Sequence, residues 1–181
     1  VSMEKWSTQV AEQGFAGGQR QLITMHDYGS SVPERDKATA ELLTYAAEQG
    51  LAAMQFNLGL MYAFGDGVPV NDEIAVQWYT KAAEQGHVAA QFNLASRYKN
   101  GIGVLENHKT ALKWYTKAAE QGDVDAQNWV GMLYEQGGGV PKNDKTAVKW
   151  YTKAAEQGDK FAQNNLGLMY EYGHGVRESK A

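Results

Sequence analysis

Metal binding, acid–base catalysis and phosphate binding each have residues of a suitable type in this chain. His26, His87, His108 and His174 are potential metal ligands, but a metal site needs ligands that converge at short spacing. These four occupy four different positions of the repeat described below, so stacking does not line them up. Glu48, Glu84, Glu120 and Glu156 recur every 36 residues near a helix end. A catalytic carboxylate pair occurs once, in locally unusual surroundings, whereas regular recurrence marks a structural position. Gly137-Gly138-Gly139-Val140 is shaped like a phosphate-cradling loop, yet no Gly-Lys-Ser/Thr follows it and the same loop recurs in every unit as a turn. Serine is sparse and no Gly-x-Ser-x-Gly elbow exists. The absence of cysteine removes thiolate ligands, disulfides and a cysteine nucleophile. No catalytic residue, metal or cofactor is expected, and the chain reads as a non-enzyme.

The pairs Trp78-Tyr79, Trp114-Tyr115 and Trp150-Tyr151 have the chemistry for base or sugar stacking. They recur in phase beside alanines, which assigns them to a core. Lys plus Arg is 17 and Asp plus Glu is 21, a net charge of −4. That balance argues against a nucleic-acid partner, which requires a basic footprint.

The elements that position all these residues are set by a repeat. Ala-Glu-Gln-Gly recurs with its glycine at Gly14, Gly50, Gly86, Gly122 and Gly158, each step being 36 residues. Within Leu51 to Gly86, Met54, Leu58, Met61 and Tyr62 follow the i, i+4, i+7, i+8 spacing of a helix face, which defines helix A. Gly65-Asp66-Gly67-Val68-Pro69 must then turn the chain. Asn71 and Asp72 cap a second helix, helix B, carrying Ile74, Trp78, Tyr79, Ala82 and Ala83, and Gly86 supplies its left-handed stop. Two short antiparallel helices cannot bury their apolar faces alone, so such units require neighbours. Gly59, Gly131 and Gly167, with Ala95 in phase, sit mid-helix and point to close helix approach.

The expected fold class is all-α, a solenoid of antiparallel helix A/helix B hairpins with a 36-residue period. The chain divides into a half repeat at 1–14, a degenerate capping repeat at 15–50, full repeats at 51–86, 87–122 and 123–158, and a truncated repeat at 159–181. In the capping repeat Ile23, His26, Ser31 and Leu42 replace the usual residues. The helix from Lys160 to Tyr172 is expected to lack its mate, leaving a face for a missing helix or a partner.

The pattern Ala-Gln-x-x-Leu-Gly-x-x-Tyr, Gly-x-Gly-Val, then Ala-x-x-Trp-Tyr-x-Lys-Ala-Ala-Glu-Gln-Gly resembles the Sel-one-like repeat (SLR) family, relatives of the tetratricopeptide repeats. Ala162, Gln163, Leu166, Gly167, Tyr170, Gly173, Gly175 and Val176 carry its first half, and Ala147, Trp150, Tyr151 and Lys153 to Gly158 its second. The resemblance implies a right-handed superhelix with helix A on the concave side. It also implies an adaptor or scaffold role in a bacterial signalling, envelope or virulence complex, with a toxin-immunity inhibitor as the alternative. Cysteine-rich relatives are associated with penicillin binding and weak β-lactam hydrolysis, but this chain lacks the cysteines that define them.

Positions fixed across repeats are explained by packing, so positions that vary on an accessible face are where specificity resides. On helix A these are Phe56, Phe92, Asn128 and Asn164; Leu60, Ser96, Met132 and Leu168; Lys99, Glu135 and Glu171; and Phe64, Asn100, Gln136 and Tyr172. They form a second stripe, roughly opposite the Met54–Tyr62 face. This stripe is the expected site for a protein or peptide partner, apolar near its amino end and more acidic toward its carboxyl end. No stretch has the apolar length of a membrane span, and no signal peptide is visible. The chain reads as soluble and cytoplasmic as it stands, with the periplasm or the exterior as the alternatives for a trimmed chain.

Overall fold

The computed structural model describes residues 32–176, with side chains from Ala40 onward. The half repeat at 1–14, most of the degenerate unit at 15–50 and residues 177–181 lie outside the described residues, as do Ile23, His26 and Ser31. Within them the punctuation read from the sequence sets most of the boundaries. Eight helices are described: α1 (Val32–Glu48), α2 (Ala52–Phe64), α3 (Asp72–Glu84), α4 (Val88–Asn100), α5 (His108–Glu120), α6 (Val124–Gln136), α7 (Asp144–Glu156) and α8 (Lys160–Glu171). No strand occurs among the described residues. The even-numbered helices are the A type, the others the B type.

Caps fix where the helices start. The Asn107 and Asn143 side chains accept from the backbone N–H of Thr110 and Thr146, and Asn71 accepts from Ile74. The A-type helices are capped by His87, Asp123 and Asp159, whereas Leu51 offers no side-chain cap. Gly65 and Gly137 take left-handed φ of 82° and 79° at the ends of α2 and α6, a conformation that glycine adopts without steric cost.

The chain divides into two compact units, with the division between Trp78 and Tyr79 inside α3. In the first, α1 packs on α2. Ala40, Leu43 and Ala47 meet Met54, Leu58 and Met61, and Tyr62, Val68 and Trp78 close the rim. Leu58 is fully buried, which stabilises by about 1.5–3 kcal/mol relative to exposure.

In the second unit α4 packs on α5, α5 on α6, α6 on α7 and α7 on α8. Each hairpin closes with the same bond, the N–H of Asn107 donating to the Tyr98 carbonyl and that of Asn143 to the Tyr134 carbonyl, both at 2.8 Å. The core of the last hairpins is Ala147, Tyr151, Ala154, Ala162 and Met169, with Val124, Met132, Tyr134 and Leu166 against it.

Two sequence expectations change in detail. The tyrosine, more than the tryptophan, is the core residue of each Trp-Tyr pair: Tyr79, Tyr115 and Tyr151 are at most 1% exposed, while Trp78 and Trp150 are only half-buried and Trp114 keeps 7%. The reason is visible at Tyr151, whose ring fills the space over Gly131, so that a Cβ there would lie 2.6 Å from it. Gly167 differs from Gly131. A Cβ at Gly167 would meet nothing within 4 Å, so close approach explains Gly131 and not Gly167.

Candidate functional site

In α2, α4 and α6 the glutamine, leucine and small-residue positions that repeat on helix A are buried, which leaves the variable stripe outside, whereas in α8 Gln163 and Gly167 are exposed. Gln55, Gln91 and Gln127 are buried, each donating through Nε2 to the carbonyl of Ala47, Ala83 or Ala119 at 3.1 Å. Gln121 donates to Gln91 Oε1 at 2.8 Å, and Gln157 to Gln127 Oε1 at 2.8 Å. The repeated glutamines therefore form a relay that satisfies buried amides and ties one hairpin to the next.

None of the fifteen stripe residues is fully buried. In the first unit Phe56 and Leu60 are half-buried and Phe64 is 70% exposed at the end of α2. In the second unit Asn100, Gln136, Asn164, Leu168, Glu171 and Tyr172 are exposed, while Phe92, Ser96, Lys99, Asn128, Met132 and Glu135 are half-buried.

Most of the half-buried members of the second unit are held by side chains outside the stripe. The Phe92 ring meets Tyr115 edge-on at 5.3 Å, and Tyr115 stacks on Trp129 at 5.9 Å with 11° between the planes. The Lys99 ammonium lies 4.0 Å from the centre of the Trp129 ring. Burial pushes the Tyr115 hydroxyl up to about 12, against a smaller opposing effect of its hydrogen bond with Ser96. Tyr151 donates to Glu135 Oε2 at 2.6 Å. Burial first, then that hydrogen bond and the carboxylate charge, raise the Tyr151 pKa. Asn165 donates to Asn128 Oδ1 at 3.1 Å. The result is a prearranged surface, with an aromatic shelf of Phe92, Tyr115 and Trp129 at one end and amides and carboxylates at the other.

Trp129 is absent from the sequence-derived stripe. A signal for it exists: its repeat position holds Asn57, Asn93 and Asn165 elsewhere, so the tryptophan departs from its own phase. Tyr115 is likewise part of the shelf, though its recurrence marks it as core.

Among the described residues no group of three or more His, Cys, Asp or Glu side chains is placed to hold a metal ion. No helix among them is long and apolar enough to cross a membrane.

The Sel1 repeat family matches at residues 24–51, 52–87, 88–123, 124–159 and 160–181. Among solved structures, a Sel1 repeat protein from Oxalobacter formigenes is 44% identical, with a TM-score of 0.74, covering 76% of this chain and 56% of its own. The protein c5321, a protective antigen present in uropathogenic Escherichia coli strains displaying an SLR fold, is 34% identical, with a TM-score of 0.82, covering 97% of this chain and 38% of its own. Helicobacter pylori cysteine rich protein B is 27% identical with a TM-score of 0.59, covering 77% of this chain and 100% of its own. The chain thus spans 56% and 38% of the lengths of the first two. Comparison with curated proteins gave no match.

Proposed function

Since the chain belongs to the Sel1 repeat family, a fold of non-enzymatic repeats that generally serve as protein-interaction scaffolds, we propose that it is an adaptor holding a protein or peptide partner on the helix A stripe. The observation that carries this reading is the contrast along one helix type. In α2, α4 and α6 the glutamine, leucine and small-residue positions of the repeat are buried, and none of the fifteen varying residues is. Packing accounts for the first set, and recognition accounts for the second.

Each unit contributes its own anchors. In the first they are Phe56, Leu60 and Phe64. In the second the shelf of Phe92 and Trp129 gives apolar contact, and Asn128, Asn164 and Asn100 give amides suited to a peptide backbone. Aromatic anchors of this kind carry much of the energy of an interface. On the family resemblance the stripe is the concave side and the setting a bacterial signalling, envelope or virulence complex.

Capture from native lysate by the full chain tests the proposal. Changing Phe56, Leu60 and Phe64 together to Ser, or Trp129 to Ser, is expected to weaken capture of the same partner with helicity retained in circular dichroism. A triple variant that stays folded and captures as well as the parent would overturn it. A chromogenic β-lactam assay checks the non-enzyme reading, since turnover above a heat-treated control contradicts it.

A further inference from the structure

The B-type helices of the second unit carry a surface that the stripe does not use. Lys109, Lys113 and Lys117 on α5 and Lys145, Lys149 and Lys153 on α7 are all exposed. Each set follows i, i+4, i+8, so it forms one row about 12 Å long on one face of its helix. The two helices occupy the same phase of the repeat, and Gln157 donates to the Gly122 carbonyl at 3.4 Å, which brings their carboxyl ends together. Adjacent repeats therefore present equivalent rows on helices that meet at their carboxyl ends.

Nothing within the described residues neutralises them. None of the six lysines forms an ion pair there. Lys142 lies 3.4 Å from Asp144, the acidic residue at the start of α7, and the remaining carboxylates of these two helices, Glu120 and Glu156, sit at the carboxyl ends. Lysines four apart on a helix repel, and Lys109 and Lys145 also face the positive end of the helix dipole, so both arrangements work against the fold. The fold does not demand them, because α3 has Glu73, Gln77 and Lys81 at the same positions. The last ammonium group of each row lies over a tryptophan of its own helix: Lys117 is 4.6 Å from the Trp114 ring centre and Lys153 4.2 Å from that of Trp150.

We propose that these paired lysine rows are a docking surface for an acidic protein segment, with carboxylates spaced about 6 Å apart as on one face of a helix. A local acidic segment fits better than an extended polyanion, because the chain as a whole carries −4 and repels one at long range. The rows contain no arginine for bidentate phosphate contacts. Trp114 is buried and the half-buried Trp150 ring is covered by the Lys153 ammonium at 4.2 Å, so neither ring stands open to stack on a base or insert into a lipid surface.

The test uses the full chain and a fluorescent alanine-based helical peptide with glutamate at every fourth position, alongside its glutamine counterpart. The glutamate peptide is expected to bind at least about tenfold more tightly, and more weakly as salt rises. Lys113→Gln with Lys149→Gln should abolish most of that difference. Its thermal midpoint should stay level or rise, because like-charge pairs are relieved, so loss of binding is not loss of fold. Equal binding of the two peptides, equal binding by the double variant, or tighter binding of single-stranded DNA or phosphatidylglycerol vesicles than of the glutamate peptide would each overturn the proposal.

Discussion

Helices α6 and α8 stand at the same phase of the repeat and share its fixed residues, yet they live in different surroundings. In α6, Gln127, Gly131 and Leu133 are buried, and the Tyr151 ring of α7 lies on Gly131. In α8 the equivalent Gln163 and Gly167 are exposed, and Met169 on the face toward α7 is 1% exposed while Tyr170 beside it is 60% exposed. The same letters do different work because burial is a property of the neighbour. A residue's phase says what it can pack against, and only a second helix on that side makes it do so.

Tyrosine truncation should open the largest gap between the two helices. Tyr151→Ala, which empties the pocket over Gly131, is expected to cost about 3–5 kcal/mol, the range for deleting a buried aromatic. Tyr170→Ala on the open face should change stability by no more than about 0.5 kcal/mol. Chemical denaturation of the two variants measures this, and equal losses would mean that α8 is covered in solution.

The glycines sharpen the comparison by sign. Gly131→Ala drives a methyl into the Tyr151 ring and is expected to destabilise by about 1–3 kcal/mol. Gly167→Ala meets open space and should stabilise by about 0.5–1 kcal/mol through helix propensity alone. Destabilisation at both sites would break the contrast.

A smaller difference is expected at the glutamines. Gln127→Ala removes the bond to the Ala119 carbonyl and the acceptor for Gln157, at about 1–2 kcal/mol. Gln163 makes only the exposed bond to Ala155, so its replacement by Ala should fall within about 0.5 kcal/mol. Thermal midpoints of the two variants would resolve the order.

The smallest effect concerns the caps that start these helices. Asp123 and Asp159 cap α6 and α8, whereas His87 caps α4 through Nδ1, accepting from Ala90 N–H at 3.2 Å. Burial lowers the His87 pKa below 6.5, so the unfolded chain takes up its proton first as pH falls. The stability this site contributes is complete above about pH 6.5 and declines below it. His87→Asp should flatten that slope in unfolding measured between neutral and mildly acidic pH, and an unchanged slope would place its origin elsewhere.

The sequence by itself determined the period, the helix boundaries and the fold class, because those rest on local chemistry. Asn107 and Asn143 cap wherever they precede a helix, Gly65 and Gly137 permit φ that other residues resist, and the alanine and leucine spacing selects a face. Part of the candidate site was legible too, since comparing repeats within one chain separates packing positions from variable ones. Tertiary structure alone decided the rest. It put tyrosine rather than tryptophan at the centre of each hairpin, filled the space over Gly131 and left that over Gly167 open, and joined Phe92, Tyr115, Trp129 and Lys99 into one shelf. These outcomes depend on which side chain from a different helix arrives within van der Waals or hydrogen-bond range, and the order of residues within one helix carries no such distance.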